Sequence, residues 1–347
     1  MPKLVWLIYL SQDFTFMLVK KQLRLWLLGI LSALSINSYA CDLCNIYVGI
    51  RPDDYQSSFG IVHRFRSFDS DFLATIPGAS QEKHGEEFAL EDYSLQEEFN
   101  SYDFWFRYFL TPRLQLNASI SFSDNYMGRN DSMTQSIAGP GDLILMAKYQ
   151  IYNSKLCEDT SEWTKRLTAG GGIKLPTGTY NKTYMYYPIE SNTKGVYYSD
   201  PENHLDPHMQ AGTGSVDFIL FLEGVLMRNY FGVSTNLSYK INSRNKNNFK
   251  FANRFNLNPS IFFIKDLNKV KIMPTIGAAY ESSNRDQWNG DFYRHSGGET
   301  LFGNASLTAF YDKISIGMTY FNPIYQNLND NQIQNKMRLI TELNYYF

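Results

Sequence analysis

Apolar side chains recur at every second position along most of this chain, with polar ones between them. In 102–110, Tyr102, Phe104, Phe106, Tyr108 and Leu110 alternate with Asp103, Trp105, Arg107 and Phe109. In 114–122, Leu114, Leu116, Ala118, Ile120 and Phe122 alternate with Gln115, Asn117, Ser119 and Ser121. Period two marks a strand whose two faces meet different surroundings. The pattern predicts twelve strands: 57–66, 99–110, 113–122, 141–152, 165–175, 214–223, 229–240, 248–261, 270–281, 300–310, 314–321 and 335–347. Lengths near ten residues suit a strand tilted across a hydrocarbon layer. After residue 40 there is no apolar run long enough for a membrane helix, so any crossing must be made by strands.

The spacing between strands adds a second signal. The connections 67–98, 123–140, 176–213, 241–247, 282–299 and 322–334 are long as a group. The interleaved ones, 111–112, 153–164, 224–228, 262–269 and 311–313, are short. Transmembrane barrels have long extracellular loops and short periplasmic turns, whereas a soluble sandwich has no reason to alternate loop length. The expectation is an all-β, antiparallel up-and-down transmembrane barrel over 57–347, closed by pairing 57–66 with 335–347. Both mature termini would then be periplasmic. Arg64, Arg66, Asp103, Arg107, Lys148, Lys174, Asp217, Glu223, Arg254, Lys271, Arg338 and Glu342 fall on the polar face and would line the lumen. A bore of about twelve strands lies between a side-chain-filled barrel and an open porin.

Composition sharpens this picture. The aromatic share is 16%, from 25 Tyr, 25 Phe and 5 Trp, which fits barrels with aromatic girdles and a polar interior. With 32 Lys+Arg against 34 Asp+Glu, nothing points to nucleic acid. Lys20, Lys21 and Arg24 precede the apolar run 25–36, and Ser38-Tyr39-Ala40 supplies small residues for cleavage before Cys41. Residues 1–40 therefore read as a secretory signal peptide, with a natural start at Met17, since Asp13 sits where such a signal is basic. Segment 41–56 would be a short periplasmic lead carrying Cys41 and Cys44. Lipidation of Cys41 is the lesser reading, because an aliphatic residue is missing three positions before it.

The final stretch, Lys336 to Phe347, resembles the terminal strand of bacterial outer-membrane barrels, whose last Phe is read by the assembly machinery. That resemblance implies that Phe347 is an assembly signal. Three motifs sit at loop–strand junctions: Gly139-Pro140-Gly141-Asp142, Gly172 through Gly178, and Gln210 through Asp217. On these the chain resembles outer-membrane barrels known as phenol-degradation-pathway or transporter-type proteins, distantly similar to fatty-acid-transporter barrels. The resemblance implies passage of small, partly hydrophobic molecules, with outer-membrane lipid and the assembly machinery as partners and no cofactor. Segment 41–56 departs from the longer plug of the fatty-acid transporters.

Asp142, Lys174 and Asp217 should share the inward face of adjacent strands near one rim, which gives two readings: a structural ion-pair network or a gate. His204, Asp206 and His208 could ligate a metal, but Pro207 argues against the helix that would face the two imidazoles together, so solvated loop residues are the simpler expectation. Cys41, Cys44 and Cys157 would all lie in an oxidising periplasm, which favours one disulfide or inert thiols. His295 and Ser296 are adjacent and point apart on a strand, so no nucleophile–base pair is expected and the chain reads as a non-enzyme. The leading function is passage of a small solute. A non-conducting barrel acting through its loops is the rival, and a lipid-active enzyme the third class.

Overall fold

The structure is a computed structural model that describes residues 56–70, 95–129, 132–157, 159, 161–186, 198–204, 206–293 and 295–347. Residues 1–55, with the expected signal peptide, Cys41 and Cys44, lie outside the described residues, as does 71–94.

Twelve antiparallel strands form the wall: β1 (Ser58–Ser70), β2 (Leu95–Phe109), β3 (Leu114–Arg129), β4 (Leu143–Asn153), β5 (Trp163–Leu175), β6 (Asp217–Arg228), β7 (Phe231–Ile241), β8 (Arg254–Phe263), β9 (Val270–Ser283), β10 (Gly298–Tyr311), β11 (Ile314–Leu328) and β12 (Gln334–Tyr346). Each pairs with the next, and β1 pairs back onto β12 with Ser58 opposite Tyr346 and Ile61 opposite Leu343. The sheet is closed. Closure leaves the wall without an open edge strand, as a hydrocarbon environment demands.

The alternation settles which face is which. Phe59, Ile61, Phe104, Phe106, Ile120, Ile276, Ile316, Met318 and Leu343 point outward and are exposed. Their neighbours Arg64, Asp103, Arg107, Lys148, Asp217, Arg254 and Arg338 point inward and are buried. Exposed apolar side chains over a whole circumference would be untenable in water and are expected against lipid. At the end carrying the C-terminal residue, Phe347 packs 6.3 Å from both Phe59 and Phe106, and Tyr345 packs 5.5 Å from Phe59, measured between ring centroids. This cluster is a patch of the interfacial aromatic girdle.

All twelve expected strands are present, but several boundaries move. Residues 248–253 precede β8 rather than forming its start. Phe249–Lys250 pairs with Gln287–Trp288, and Phe249 and Phe251 turn into the mouth, where they enclose an imidazole. Residues 214–216 likewise stay out of β6, because Gly214 adopts a left-handed φ of 69° and the chain turns there. The expected loop 322–334 is mostly strand, since β11 and β12 run on to Leu328 and from Gln334. β3 also continues to Arg129 and pairs with a loop strand, Ser132–Pro140, that stands off the barrel path. Long loops thus partly become strand hairpins rising beyond the wall.

Candidate functional site: the lumen and its mouth

At the rim opposite Phe347, the three Gly-rich motifs meet. Lys174 Nζ lies 2.8 Å from Asp142 Oδ2 and 2.8 Å from Asp217 Oδ2, and all three side chains are almost fully buried. The sequence expectation of a carboxylate–ammonium–carboxylate cluster matches this geometry. Lys240 of β7, which the pattern did not single out for this cluster, adds a second cation 3.2 Å from Asp217.

The cluster also ties down the long loop 176–216 at both ends. Asp142 accepts from Gly178 N at 2.9 Å and from Thr213 N and Oγ1, both at 2.9 Å. Asp217 accepts from Ser215 Oγ at 2.8 Å and from Ser243 N at 3.1 Å. Such charge-assisted bonds compensate for burying the ions. Gly178 is needed for close approach: a Cβ there would sit 2.6 Å from Gly141 C and 2.9 Å from Asp142 N. These contacts explain why glycines flank the acids in the motifs.

From this clasp the segment 206–210 runs across the mouth. On one side Met209 is buried against Phe68 of β1, Phe99 of β2 and Ile137, and Asn125 of β3 donates to the Met209 carbonyl at 2.9 Å. On the other side His208 Nε2 lies 2.7 Å from Asp286, in the loop after β9. The strap thus links β1, β2 and β3 with the loops that precede β8 and follow β9.

His208 sits between two carboxylates, with Nδ1 2.8 Å from Asp206, and is boxed by Phe249, Phe251 and Tyr293 at centroid distances of 6.0, 5.6 and 5.9 Å. Burial alone would lower its pKa, but the charges and hydrogen bonds of Asp206 and Asp286 outweigh that and hold it well above the ordinary value. Burial would likewise raise Asp206 and Asp286, yet both lie below the ordinary carboxylate value because the imidazolium faces them. The imidazolium therefore donates from both nitrogens. Asp286 gains a further donor, Ala252 N at 2.6 Å.

This corrects the expectation that Asp206 and His208 are solvated loop residues. They are a latch, and both ring nitrogens are already committed. His204 is in a described strand segment, but its side chain is not described. Among the described residues, no group of three His, Cys, Asp or Glu is arranged to hold a metal. Asp286, Met209 and the aromatic box were not found by sequence reasoning. Their contacts join segments dozens of residues apart, which period and spacing do not encode.

Arg64 pairs with Asp103 at 2.9 Å inside the barrel, and Arg254 stands 5.6 Å over the Phe251 ring. Arg107 stands 5.3 Å over Trp105. Cys157 is an exposed free thiol in the turn after β4. Ser296 Oγ donates to the Tyr293 carbonyl, while His295 contacts the Asp330 carbonyl, so these neighbours serve different partners.

No family model matches the chain, and no curated protein matches it. Among solved structures the fold is similar to the COG4313 outer membrane channel from Pseudomonas putida F1, with a TM-score of 0.55 and 15% identity, covering 89% of this chain and 100% of that one. Weaker likenesses are the β domain of the Bordetella autotransporter BrkA (TM-score 0.41, 11% identity, 85% and 100% coverage) and the translocator domain of autotransporter NalP from Neisseria meningitidis (0.40, 8%, 87% and 90%). At these identities the first likeness shows the fold alone. That fold is the transmembrane β-barrel.

Proposed function

We propose that this chain is an outer-membrane channel for small solutes, with both termini periplasmic and the strap 206–210 constricting its extracellular mouth. The observation that carries the reading is the inner wall of β7–β11. Its inward positions include Ser234, Asn236, Asn258, Ser260, Thr275, Asn304, Ser306 and Thr308, an array of hydroxyls and amides with few charges. Asn236, Asn258, Ser260, Thr275, Asn304 and Ser306 keep partial accessibility inside the barrel. A polar, weakly charged lane of this kind hydrates a solute without trapping it. The likeness to a channel supports the reading at the level of fold.

A planar bilayer containing the pure protein tests it: discrete conductance steps are expected. A lipid-hydrolysing activity of the same preparation would instead place the chain among barrel enzymes. Orientation is tested on intact cells, in a Cys157→Ser background, by a membrane-impermeant thiol reagent. Asp291→Cys should label and Lys313→Cys should not.

A non-conducting barrel is the second reading, and a specific observation favours it. Besides the strap, Val62, Ala279, Phe302, Phe321 and Ile340 form an apolar cluster inside the lumen. Absence of conductance in both the wild type and a strap-released variant would select it.

A further inference from the structure

The lower lumen, between the clasp and the terminal end, carries an arrangement that neither the ladder nor the clasp explains. The inward positions of the arc running from β12 through β1 to β6 hold Arg107, Lys148 and Arg166 here, against Glu223 and Glu342. Arg166 is paired with Glu223 at 2.8 Å. Arg107 and Lys148 have no ion pair among the described residues, although both are more than nine-tenths buried.

Both side chains lie on the inward face, and each has a buried nitrogen without a hydrogen-bond acceptor. Lys148 Nζ has no hydrogen-bond acceptor among the described residues and stands 3.8 Å from the Phe221 ring centroid. Arg107 Nε is likewise without an acceptor. Between the two strands that carry them, Asn117 of β3 has both Nδ2 and Oδ1 without partners. In register, Arg107 lies opposite Asn117, Gln115 opposite Lys148, and Gly170 separates Lys148 from Phe221. Arg107 and Asn117 are therefore directly opposed, and Lys148 lies diagonally from Asn117, in the neighbouring row of β4. Gly170 makes room for Lys148, since a Cβ there would meet the Lys148 side chain at 2.8 Å.

A buried ammonium with an aromatic face but no hydrogen-bond acceptor is a costly feature for a wall to keep for stability alone. A ligand that brings one negative charge removes the cost. Three basic side chains against two carboxylates leave this arc one basic group in excess, which matches a monoanion. The faces of Phe221 and Trp105 and the Met146 side chain flank these groups and favour an apolar body on the anion over a fully hydrated one. We propose that Arg107, Asn117 and Lys148 form an intraluminal binding site for a small organic monocarboxylate. Arg107 and Lys148 take the carboxylate oxygens, and the Asn117 amide Nδ2 donates to the same group. The proposal rests on the channel reading only for how the anion reaches the site.

The test is binding to the folded, full-length barrel in detergent, read by saturation-transfer NMR with butyrate, 1-butanol and inorganic phosphate as probes. Butyrate should bind saturably, 1-butanol should not, and phosphate should bind more weakly than butyrate. Lys148→Met and Arg107→Gln should each weaken butyrate by about tenfold or more. Lys336→Met, on the exposed cation paired with Asp69, should leave it unchanged. Two substitutions guard against one failing to fold, and heat-modifiability on gels checks each barrel. Butyrate and 1-butanol binding alike, phosphate binding tighter, or both lumen variants binding as wild type would overturn the site. Butyrate binding without conductance would retain the site and overturn the channel reading. Conductance without butyrate binding would do the reverse.

Discussion

The two halves of the inner wall solve the same problem in opposite ways. From β12 to β6 the lumen carries ions, and most are compensated: Arg64 with Asp103, Arg166 with Glu223, Lys174 with Asp142 and Asp217. From β7 to β11 the middle of the wall is almost free of charge and is filled with Ser, Thr and Asn side chains that pair weakly, as Ser234 does with Ser260 at 2.7 Å and Thr319 with Ser306 at 3.0 Å. The first half fixes geometry and attaches the loops. The second half presents hydroxyls and amides, which on the proposed channel reading is the surface that a solute would pass. A polar barrel interior is therefore not one kind of environment, and the sum of its charges says little about where a solute would travel.

The sharpest way to break this comparison is to remove the central cation of the charged half. Lys174→Met leaves Asp142 and Asp217 facing each other under burial, with Lys240 alone as a near cation. The change should cost roughly 3–5 kcal/mol, read as a lower urea midpoint of the folded barrel. A midpoint within error of wild type would mean the clasp does not hold the rim.

The strap should respond next. His208→Gln retains one donor but loses the charge, so local stability of the strap should fall by roughly 1.5–3 kcal/mol, read as faster proteolysis or amide exchange near residue 209. Its pH dependence has a definite sign. The imidazole pKa is raised, so its contribution is complete below the ordinary value of 6.5 and is lost as pH rises through the raised folded value. Asp206 and Asp286 are lowered, so theirs is present above the ordinary carboxylate value and is lost as pH falls through the lowered folded values. Protection of the strap should thus hold at neutral pH and fail on both the alkaline and the strongly acidic sides. Protection that increases steadily into alkali would contradict the latch.

A third comparison sets outside against inside on one strand. Phe347 is outward in the aromatic patch, whereas Asn344 is buried and donates to Ser315 Oγ at 3.2 Å. Near an interface a charge costs only about 0–1 kcal/mol, so a large drop in folded Phe347→Asp in the membrane reports failed recognition of the terminal residue rather than solvation. Asn344→Asp should assemble at near wild-type levels. Equal yields of the two would remove the assembly role of Phe347. The smallest effect belongs to the quiet half: Thr308→Ala should change stability by no more than about 1 kcal/mol.

Strand existence, closure and facing were legible because period two is imposed by the pleat itself. Arg107, Lys148 and Arg338 reveal their inward direction through the apolar residues beside them. The clasp was legible too, since Asp142, Lys174 and Asp217 share parity and rim position on neighbouring strands. The mouth was not. Phe249 and Phe251 alternate like lipid-facing residues, yet they enclose His208, because a small loop sheet pulls them inward. The partnership of His208 with Asp286 joins two separate loops, and no local pattern marks it.

Single-channel recording of the pure, full-length barrel tests the central claim most directly, with wild type and a His208→Gln, Met209→Gly double variant compared at neutral pH. The account predicts discrete openings in the wild type and larger or longer ones once the strap is released. Silence from both, in barrels shown to be folded by heat-modifiability, would contradict it.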